Sequence, residues 1–332
     1  MDNTRDHTPE HILVIGANGQ IGSELVAALA ARHGAAQVIA ADIGLDNRFQ
    51  AARYLQLDVL DKPRLARLIE DYAITQVYQL AALLSATAEQ APLKAWSLNM
   101  DGLINVLEIA RERKQAGRPL RLFWPSSIAA FGPNTPRAGT PQYTVMDPSS
   151  MYGISKLAGE RLCEYYFQKY QVDVRSIRYP GIISYKSPPG GGTTDYAIAI
   201  FHAALRGERY DCFLAPDTTL PMIYMPDAIR ATLELMDAPA GSVKVRSAYN
   251  VAGLSFSPRQ LAQAITRALP EFDIAYAPDS RQQIAATWPA SLDDSQATFD
   301  WGWQARIGLE QLVADMLANV GVPAGLPAGL PA

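Results

Sequence analysis

A tyrosine and a lysine four residues apart, Tyr152 and Lys156, are the clearest chemical signal in the sequence. On a helix, this spacing places both side chains on one face, one turn apart. A phenol is a weak base at neutral pH, but a nearby cation stabilises the phenolate and lowers the phenol pKa. Tyr152 is therefore predicted to take a hydroxyl proton while hydride leaves the carbinol carbon of a substrate, with Lys156 as its partner.

A hydroxyl donor is expected to complete this site, and Ser127 in WPSSIAAFG is the candidate. It follows the apolar run 121–125, and ligands bind at the carboxyl ends of strands in open α/β sheets. Each residue also has a plainer interpretation. Ser127 could be a loop serine bonded to backbone, and Tyr152 with Lys156 could be a surface pair.

A glycine-rich turn lies near the start of the chain, in HILVIGANGQIGSELVAALAARHG. The apolar residues 11–15 predict a strand, and the periodic residues after the turn predict a helix that ends before Gly34. Such a turn lets a pyrophosphate approach backbone N–H groups at a helix N-terminus. The predicted cofactor contacts here are Gly16, Asn18, Gly19, Gln20, Ile21 and Gly22.

Asp42 closes the next apolar run, 20 residues after Gly22. A carboxylate there accepts hydrogen bonds from both hydroxyls of the adenosine ribose and repels a 2′-phosphate, which predicts NAD rather than NADP. The alternative is a carboxylate that only begins a loop. Asp58 and Val59 follow the third run and could reach the adenine, although Asp58 could equally lead a helix.

The order of predicted elements indicates an α/β fold with a doubly wound, Rossmann-type parallel sheet and a smaller, interleaved C-terminal substrate lobe. The predicted strands are 11–15, 37–41, 53–57, 76–80, 121–125 and 174–179, and the predicted helices include Met151 to about Gln171, 196–206, 227–237 and one opened by Ser257-Pro258. The predicted domains are a cofactor domain at 1–180, a substrate lobe at 181–318 and a flexible Pro/Gly tail at 319–332.

Composition excludes several other classes of protein. With 48% hydrophobic and 19% charged residues, a net charge of -4 and no dense basic run, the chain is predicted to be globular and not to bind nucleic acid. Two cysteines and four scattered histidines predict neither a disulfide framework nor a metal site. A polar N-terminus and the lack of a long apolar segment predict a cytoplasmic protein with no membrane partner.

These motifs together resemble the extended short-chain dehydrogenase/reductase superfamily: the turn at Gly16 to Gly22, Asp42, Asn99 in LNMDGLINVLE, Ser127, and Tyr152 with Lys156. Four stretches are closely similar to the short-chain type of L-threonine 3-dehydrogenase, namely WPSSIAAFGP, MYGISKLAGE, RYPGIISYKSPPGGGTTDYA and YDCFLAPDTTLPMIYMPDA. The resemblance runs from about residue 11 to residue 318.

The resemblance implies a homodimer that oxidises L-threonine to 2-amino-3-oxobutyrate with NAD and without metal, in threonine catabolism. It implies further cofactor contacts at Leu80, Ala81, Ala82, Asn99, Tyr179, Pro180 and Gly181, besides Tyr152 and Lys156. The implied substrate contacts are Ser85, Ser127, Tyr152, Thr193 or Thr194, and Trp288. Because no arginine is placed to clamp the substrate carboxylate, the loop from Gly190 to Thr194 is expected to bind it and could also close as a lid. Trp288 could instead anchor a satellite core.

Two other functions share these motifs. A nucleotide-sugar epimerase or dehydratase has the same fold, glycine turn and tyrosine–lysine pair, but the sparse basic residues and the small-residue loop favour a smaller substrate. A non-catalytic NAD sensor would have no need of Tyr152, Lys156 and Ser127.

Overall fold

The computed structural model describes residues 10–47, 49, 52–187 and 192–321. The chain forms two compact units and passes between them repeatedly. The first unit holds the described residues of Met1–Ala82, Ser97–Trp124 and Leu162–Arg175, and the second holds those of Leu83–Trp96, Pro125–Arg161 and Ser176–Ala332. All three segments of the first unit lie before residue 180 and alternate with segments of the second unit.

The elements are numbered in chain order. The strands are β1 Ile12–Ile15, β2 Val38–Asp42, β3 Arg53–Gln56, β4 Gln76–Gln79, β5 Arg121–Phe123, β6 Ser126–Ser127, β7 Asp173–Arg175, β8 Ile177–Tyr179, β9 Gly181–Ile183, β10 Tyr210–Cys212, β11 Leu220–Tyr224, β12 Tyr249–Asn250, β13 Leu254–Phe256 and β14 Ile274–Tyr276. The helices are α1 Gln20–His33, α2 Lys62–Asp71, α3 Ser85–Gln90, α4 Pro92–Trp96, α5 Gly102–Gln115, α6 Met151–Tyr170, α7 Tyr196–Leu205, α8 Met225–Asp237, α9 Pro258–Ala268, α10 Ser280–Ala286, α11 Ser295–Trp301 and α12 Leu309–Asn319.

The first unit is built on a parallel sheet in the order β3-β2-β1-β4-β5-β7. Strand β1 is central, with Ile12 paired to Val38 of β2 and to Gln76 of β4. All four residues of β1 are buried, as continuous apolar runs in a sheet covered on both faces require. Because the strand order reverses beside β1, its carboxyl end lies at the switch point where such sheets bind ligands. The predicted Rossmann-type sheet is confirmed.

Helix α1 begins directly after the glycine turn and ends as predicted. Gly34, the residue after its last, has φ 91°, a left-handed conformation that glycine adopts without a steric penalty. Helix α2 begins after Asp61, whose side chain accepts a hydrogen bond from Arg64 N at 3.0 Å. The helix-leading carboxylate is thus Asp61, and the alternative considered for Asp58 is wrong.

The second unit contains a parallel sheet in the order β12-β8-β6, a mixed sheet in the order β13-β11-β9, and the parallel pair β10-β14. The predicted strand 174–179 is two strands rather than one. It divides at Ser176, whose carbonyl oxygen accepts a hydrogen bond from Tyr249 N at 2.9 Å. Strand β7 pairs with β5, whereas β8 pairs with β6 and β12. The apolar residues 174–179 do not by themselves indicate that the chain changes its partner strands at Ser176.

Hydroxyl caps start two helices of the second unit where the sequence predicts them. Ser150 Oγ accepts a hydrogen bond from Gly153 N at 3.1 Å at the start of α6. Ser257 and Gln260 form a reciprocal capping box at the start of α9, with Pro258 as the first helical residue. No helix in the described residues is long and apolar enough to cross a membrane.

Candidate active site

Two glycines of the turn in the first unit, Gly16 and Gly22, have no room for a side chain. Gly16 has φ 81°, and a Cβ at that position would lie 2.6 Å from Ala81 N. A Cβ at Gly22 would lie 2.3 Å from Gly16 O, because the first turn of α1 packs directly on the loop. Within the described ranges, no side chain caps α1 at Gly19. The N–H groups at this helix end can therefore bind an anion.

Asp42 ends β2 beside this turn. Its Oδ2 accepts a hydrogen bond from Asn18 N at 2.9 Å, and its Oδ1 one from Gly44 N at 3.4 Å. The carboxylate thus shapes the loops on both sides while keeping acceptor capacity for further donors. Asn18 Oδ1 is buried and has no hydrogen-bond partner among the residues described. A ligand donor such as a ribose hydroxyl would satisfy it.

The other predicted cofactor residues of the first unit lie on the loops after its strands. Val59 is buried in the core, and Asp58 accepts a hydrogen bond from Leu60 N at 2.9 Å, so it shapes a turn. Leu80, Ala81 and Ala82 follow β4, with Leu80 N bonded to Ile15 O at 2.9 Å. Asn99 is buried in a π-helical turn, Ser97–Asp101, before α5. The groups suited to a dinucleotide are thus the N–H groups of the glycine turn and the carboxylate of Asp42, whereas the contacts assigned to these other residues stay predictions.

The predicted catalytic residues all belong to the second unit, where Ser127 and Tyr152 are joined by a side-chain hydrogen bond. Burial raises the pKa of Tyr152 to about 12, and the bond from Ser127 acts in the opposite direction. The expected lowering of the phenol pKa by Lys156 is not what the structure shows. Burial outweighs the neighbouring groups in this state, because it penalises the charged phenolate.

Lys156 lies against Tyr152, but its ammonium group is directed elsewhere. Its Nζ is 5.4 Å from the centre of the Tyr152 ring and donates a hydrogen bond to Pro125 O at 2.6 Å. The lysine is almost fully buried. It therefore holds the backbone just before Ser127 as well as presenting a positive charge to the phenol ring.

A short helical turn, Ile128–Ala130, brings Ser127 against α6. A Cβ at Gly153 would lie 2.1 Å from Ala129 O, so only glycine allows this approach. Ser127 Oγ also accepts a hydrogen bond from Ala129 N at 3.1 Å. Ser127 therefore has the backbone contact considered for it and also a hydrogen bond to Tyr152.

A second tyrosine–lysine pair with the same spacing, Tyr165 and Lys169, lies further along α6. Lys169 Nζ donates to the Tyr165 hydroxyl at 2.8 Å, and this bond is the main cause of a lowered pKa at Tyr165. Both side chains are exposed at the bond. The effect predicted for Tyr152 from spacing thus occurs at this exposed pair, where the ammonium group bonds directly to the phenol oxygen and burial is not the largest cause of the pKa shift.

Three predicted cofactor residues follow one another in the second unit. Tyr179 is buried, and its hydroxyl is bonded to Thr232, so its side chain is committed to the core. Pro180 is also buried. A Cβ at Gly181 would lie 2.6 Å from the methyl group of Thr194, which places one predicted substrate residue directly beside one predicted cofactor residue.

A small cavity of about 110 Å³ lies at the start of α6. Its lining residues are Glu89, Ala129, Phe131, Ser149, Ser150, Ile284, Thr287 and Trp288. Trp288 also packs into the core of the unit. Its contact with a substrate stays a prediction. Ser85 and Thr193 are buried but do not line the cavity, and neither does Thr194. Residues 190 and 191 of the predicted carboxylate loop lie outside the described residues.

Glu89 and Thr287 are polar lining residues that sequence reasoning missed. Glu89 Oε1 accepts a hydrogen bond from Met151 N at 2.7 Å, which brings the carboxylate to the N-terminus of α6. No sequence motif around Glu89 indicates a functional role. Thr287 could have been noticed, because it directly precedes Trp288, a predicted substrate contact. A wider groove of about 460 Å³ lies elsewhere in this unit, lined by Arg137, Asp217 and Gln282 among others, and shares no residue with the small cavity.

No group of three or more His, Cys, Asp or Glu side chains in the described ranges could hold a metal ion. Cys163 and Cys212 are buried and are not joined by a disulfide.

Comparison with known proteins agrees with this geometry. Residues 12–252 match the NAD dependent epimerase/dehydratase family. The chain is 46% identical over 310 residues to an uncharacterized epimerase/dehydratase of Staphylococcus saprophyticus, covering 92% of this chain and 95% of the relative. It is 44% identical over 311 residues to the mitochondrial L-threonine 3-dehydrogenase of Bos taurus, covering 93% of this chain and 82% of the relative.

A solved structure, the holo form of a GalE-like L-threonine dehydrogenase from Cupriavidus necator, superimposes with a TM-score of 0.91 at 58% identity, covering 94% of this chain and 99% of the other. The Rossmann-type sheet and these relatives thus define an NAD-using oxidoreductase of the extended short-chain type. The chain belongs to the NAD dependent epimerase/dehydratase family.

Proposed function

We propose that this protein oxidises L-threonine to 2-amino-3-oxobutyrate with NAD and without metal. The observation that carries the proposal is the hydrogen bond between Ser127 and Tyr152, together with a cavity of about 110 Å³ at the start of α6, the helix that carries Tyr152. Nucleotide-sized ligands need pockets of roughly 300 Å³ or more, so this cavity favours a small substrate. The names of the bovine and Cupriavidus relatives support threonine as that substrate.

The residues that would hold NAD are those of the first unit already described. The N–H groups after Gly19 suit the pyrophosphate, and Asp42 with Asn18 suits the adenosine ribose. When bound, NAD supplies the acceptor for the hydride that leaves the carbinol carbon. The carboxylate of Asp42 disfavours a 2′-phosphate by charge repulsion.

Tyr152 accepts the proton of the substrate hydroxyl, and Ser127 assists it. As the carbinol C–H bond breaks and its electron pair leaves as hydride, the O–H proton passes to the Tyr152 phenolate, and a ketone remains. The Ser127 hydroxyl binds the substrate oxygen and favours the phenolate by its bond to Tyr152. Lys156 fixes the backbone at Pro125, so that Ser127 stays in reach.

The small cavity suits the amino-acid part of the substrate. Glu89 is charged and lies at the rim, where one oxygen is bonded to Met151 N and the other can accept from an ammonium group. The Ser150 and Thr287 hydroxyls offer further polar contacts, and Trp288 covers an apolar wall that would suit the threonine methyl group.

We further propose that the protein is a homodimer, because the helices after Asn99 and Tyr152 resemble those that form a dimer contact in the superfamily. Sedimentation velocity measures the oligomeric state directly.

The test is NADH formation by the purified protein with NAD, in the presence of a chelator. The substrates are L-threonine, D-threonine, L-allo-threonine, L-serine and UDP-glucose, assayed in parallel. We expect the highest kcat/KM with L-threonine and no effect of the chelator. If only UDP-glucose is turned over, the protein is a nucleotide-sugar enzyme and the proposal fails. If NAD binds and no substrate reacts, the sensor function becomes the leading one.

The variant Glu89→Gln tests whether the cavity binds the substrate, independently of the reaction step. It keeps the hydrogen bond to Met151 N and removes the charge, so we expect the KM for L-threonine to rise about tenfold, since hydrogen bonds to charged groups contribute ~1.5–3 kcal/mol. The kcat and the NAD affinity stay close to wild type. Glu112→Gln, an exposed glutamate of α5, is the matched control. An unchanged KM would remove Glu89 from the substrate site.

A further inference from the structure

A buried ion pair stands directly behind the catalytic serine. Glu160 lies on α6 one turn after Lys156, and both it and Arg178 of β8 are almost wholly buried, with side-chain exposures of 0% and 2%. The contact is bidentate, with Arg178 Nε 2.9 Å from Glu160 Oε1 and Nη2 2.8 Å from Oε2. This geometry fixes both the position and the orientation of the carboxylate.

The remaining donors of Arg178 are used as well. Its Nη1 donates to Gln142 O at 2.9 Å and to Asn250 Oδ1 at 3.0 Å, and Nη2 also lies 3.5 Å from Met146 Sδ. The guanidinium stands 5.1 Å from the centre of the Phe131 ring. Arg178 is therefore held from several sides, and it transmits that rigidity to Glu160.

Glu160 in turn fixes the side chain of Ser126 by a hydrogen bond. Ser126 Oγ donates to Glu160 Oε1 at 2.6 Å, on the same oxygen that Arg178 Nε contacts. In the β6–β8 ladder, Ser126 is also the direct partner of Arg178. Ser126 is thus bound to both members of the ion pair, once by its side chain and once through the strand register.

Three consecutive residues before the catalytic turn are consequently tied to α6. Pro125 O accepts from Lys156 Nζ, Ser126 Oγ donates to Glu160, and the Ser127 hydroxyl is bonded to Tyr152. We propose that Glu160 and Arg178 are positioning residues, which fix Ser127 against Tyr152 by holding Ser126. They act through Ser127 and touch neither substrate nor cofactor.

Stability alone gives little reason to place an ion pair here. Replacing a buried pair by apolar residues of similar volume is often neutral or stabilising for the fold, because the desolvation cost of both charges is removed. What apolar residues cannot supply is an acceptor for Ser126 at a fixed point. Displacement of a catalytic group by about 1 Å can lower turnover on the order of 100-fold, so this acceptor has a catalytic consequence.

The first test uses the double variant Glu160→Leu/Arg178→Leu, because either single change leaves a buried charge unpaired and endangers the fold. Thermal melting and NAD affinity check that the protein is folded. We expect kcat to fall by about 10- to 100-fold, with a KM near wild type. The matched control is Asp227→Leu/Arg230→Leu, which removes another ion pair of the second unit, on α8. This control is expected to keep the wild-type kcat.

The decisive experiment is a mutant cycle that combines the double variant with Ser127→Ala. If the pair acts through Ser127, the double variant lowers kcat by no more than about twofold once Ser127 is already alanine. A loss of the same size in both backgrounds would show a role independent of Ser127 and overturn the proposal. So would a folded double variant with the wild-type kcat.

Because this inference rests on the proposed function, one readout does not use L-threonine. Difluorotyrosine at position 152 has a phenol that ionises at lower pH and is followed by fluorine NMR without substrate. In the double variant, the ionisation midpoint should move to higher pH, because the lowering contact from Ser127 is loosened. An unmoved midpoint overturns the proposal. Failure of wild-type protein to oxidise L-threonine refutes the proposed function alone and leaves this readout valid.

Discussion

The two units differ in the kind of atoms that make up the candidate site in each. In the first unit, the binding surface is backbone: the turn at Gly16 to Gly22 and the N-terminus of α1, with Asp42 as the main side chain. In the second unit, the site consists of side chains, with Ser127, Tyr152 and Lys156 held by contacts to one another and to the segment 125–127. A site made of backbone atoms requires that no side chain fill the space of the ligand. A site made of side chains requires neighbouring residues that fix the positions of those side chains.

This difference determines which substitutions each site tolerates. The glycine turn fails when a Cβ is added, because neighbouring backbone atoms cannot move away. The catalytic centre fails when a functional atom is removed, even if the fold persists. We therefore expect changes in the first unit to act on NAD affinity, and changes in the second to act on turnover.

The largest expected effect is that of Tyr152→Phe. Loss of the phenol oxygen should lower kcat at least about 100-fold, the usual contribution of a general base, while the NAD affinity stays near wild type. Tyr165→Phe is the matched control, since it alters a tyrosine of the same helix that also has a lysine four residues later. Steady-state kinetics and NAD titration measure both variants. Equal turnover in the wild type and in Tyr152→Phe would remove Tyr152 from the mechanism.

Gly22→Ala tests the backbone site. Its new Cβ would lie 2.3 Å from Gly16 O, so the turn must open, and we expect the NAD dissociation constant to rise by about tenfold or more. In Gly19→Ala, the nearest contact is 3.2 Å, and a much smaller change is expected. Calorimetric titration with NAD measures both variants. If the two behave alike, the close packing of α1 on the loop does not control binding.

Asp42→Ala should weaken NAD binding by about tenfold, because hydrogen bonds to a charged group are lost, and it should reduce the preference for NAD over NADP. Asp42→Asn keeps an acceptor for Asn18 N and removes the charge. It therefore isolates repulsion of the 2′-phosphate from support of the turn. An NAD/NADP ratio that is unchanged in both variants would make Asp42 purely structural.

The smallest expected effect is on pH dependence. The pKa of Tyr152 is raised to about 12, so the phenolate fraction, and with it kcat/KM, should increase with pH over roughly pH 7 to 10. The bond from Ser127 lowers this pKa, so Ser127→Ala should move the rise to higher pH. A profile of kcat/KM against pH for both proteins tests this. A shift of the Ser127→Ala profile to lower pH would contradict the assigned role of the hydroxyl.

Much of the first unit was predictable because its signals are local. The strand before the glycine turn, the end of α1 at Gly34 and the position of Asp42 each depend on residues close in sequence. The start of α6 was predictable for the same reason, since Ser150 caps the helix that carries Tyr152. Ser127 was predicted as a hydroxyl donor from motif order, and its hydrogen bond to Tyr152 places it next to the predicted base, although its role stays a prediction.

The rest depends on burial and on partners that are distant in sequence. Spacing predicted a lowered pKa at Tyr152, but burial reverses it, and the same spacing gives that lowering at the exposed Tyr165. The break at Ser176 and the cavity contact of Glu89 depend on Tyr249 and Met151, which no local pattern identifies. The contacts assigned to Ser85, Thr193 and the wider cofactor set stay predictions.

The β12-β8-β6 sheet has a consequence for how the enzyme is made. Arg178 reaches Asn250 across 72 residues of chain, and Asn250 Nδ2 reaches Thr140 O across 110. Contacts of such high sequence separation form slowly, because the loop-closure entropy must be overcome before they contribute. The support behind Ser126 therefore forms only after most of the chain has been synthesised. A nascent chain that ends soon after α6 would carry Tyr152 and Lys156, but would lack strand β8, whose Arg178 is bound to Glu160.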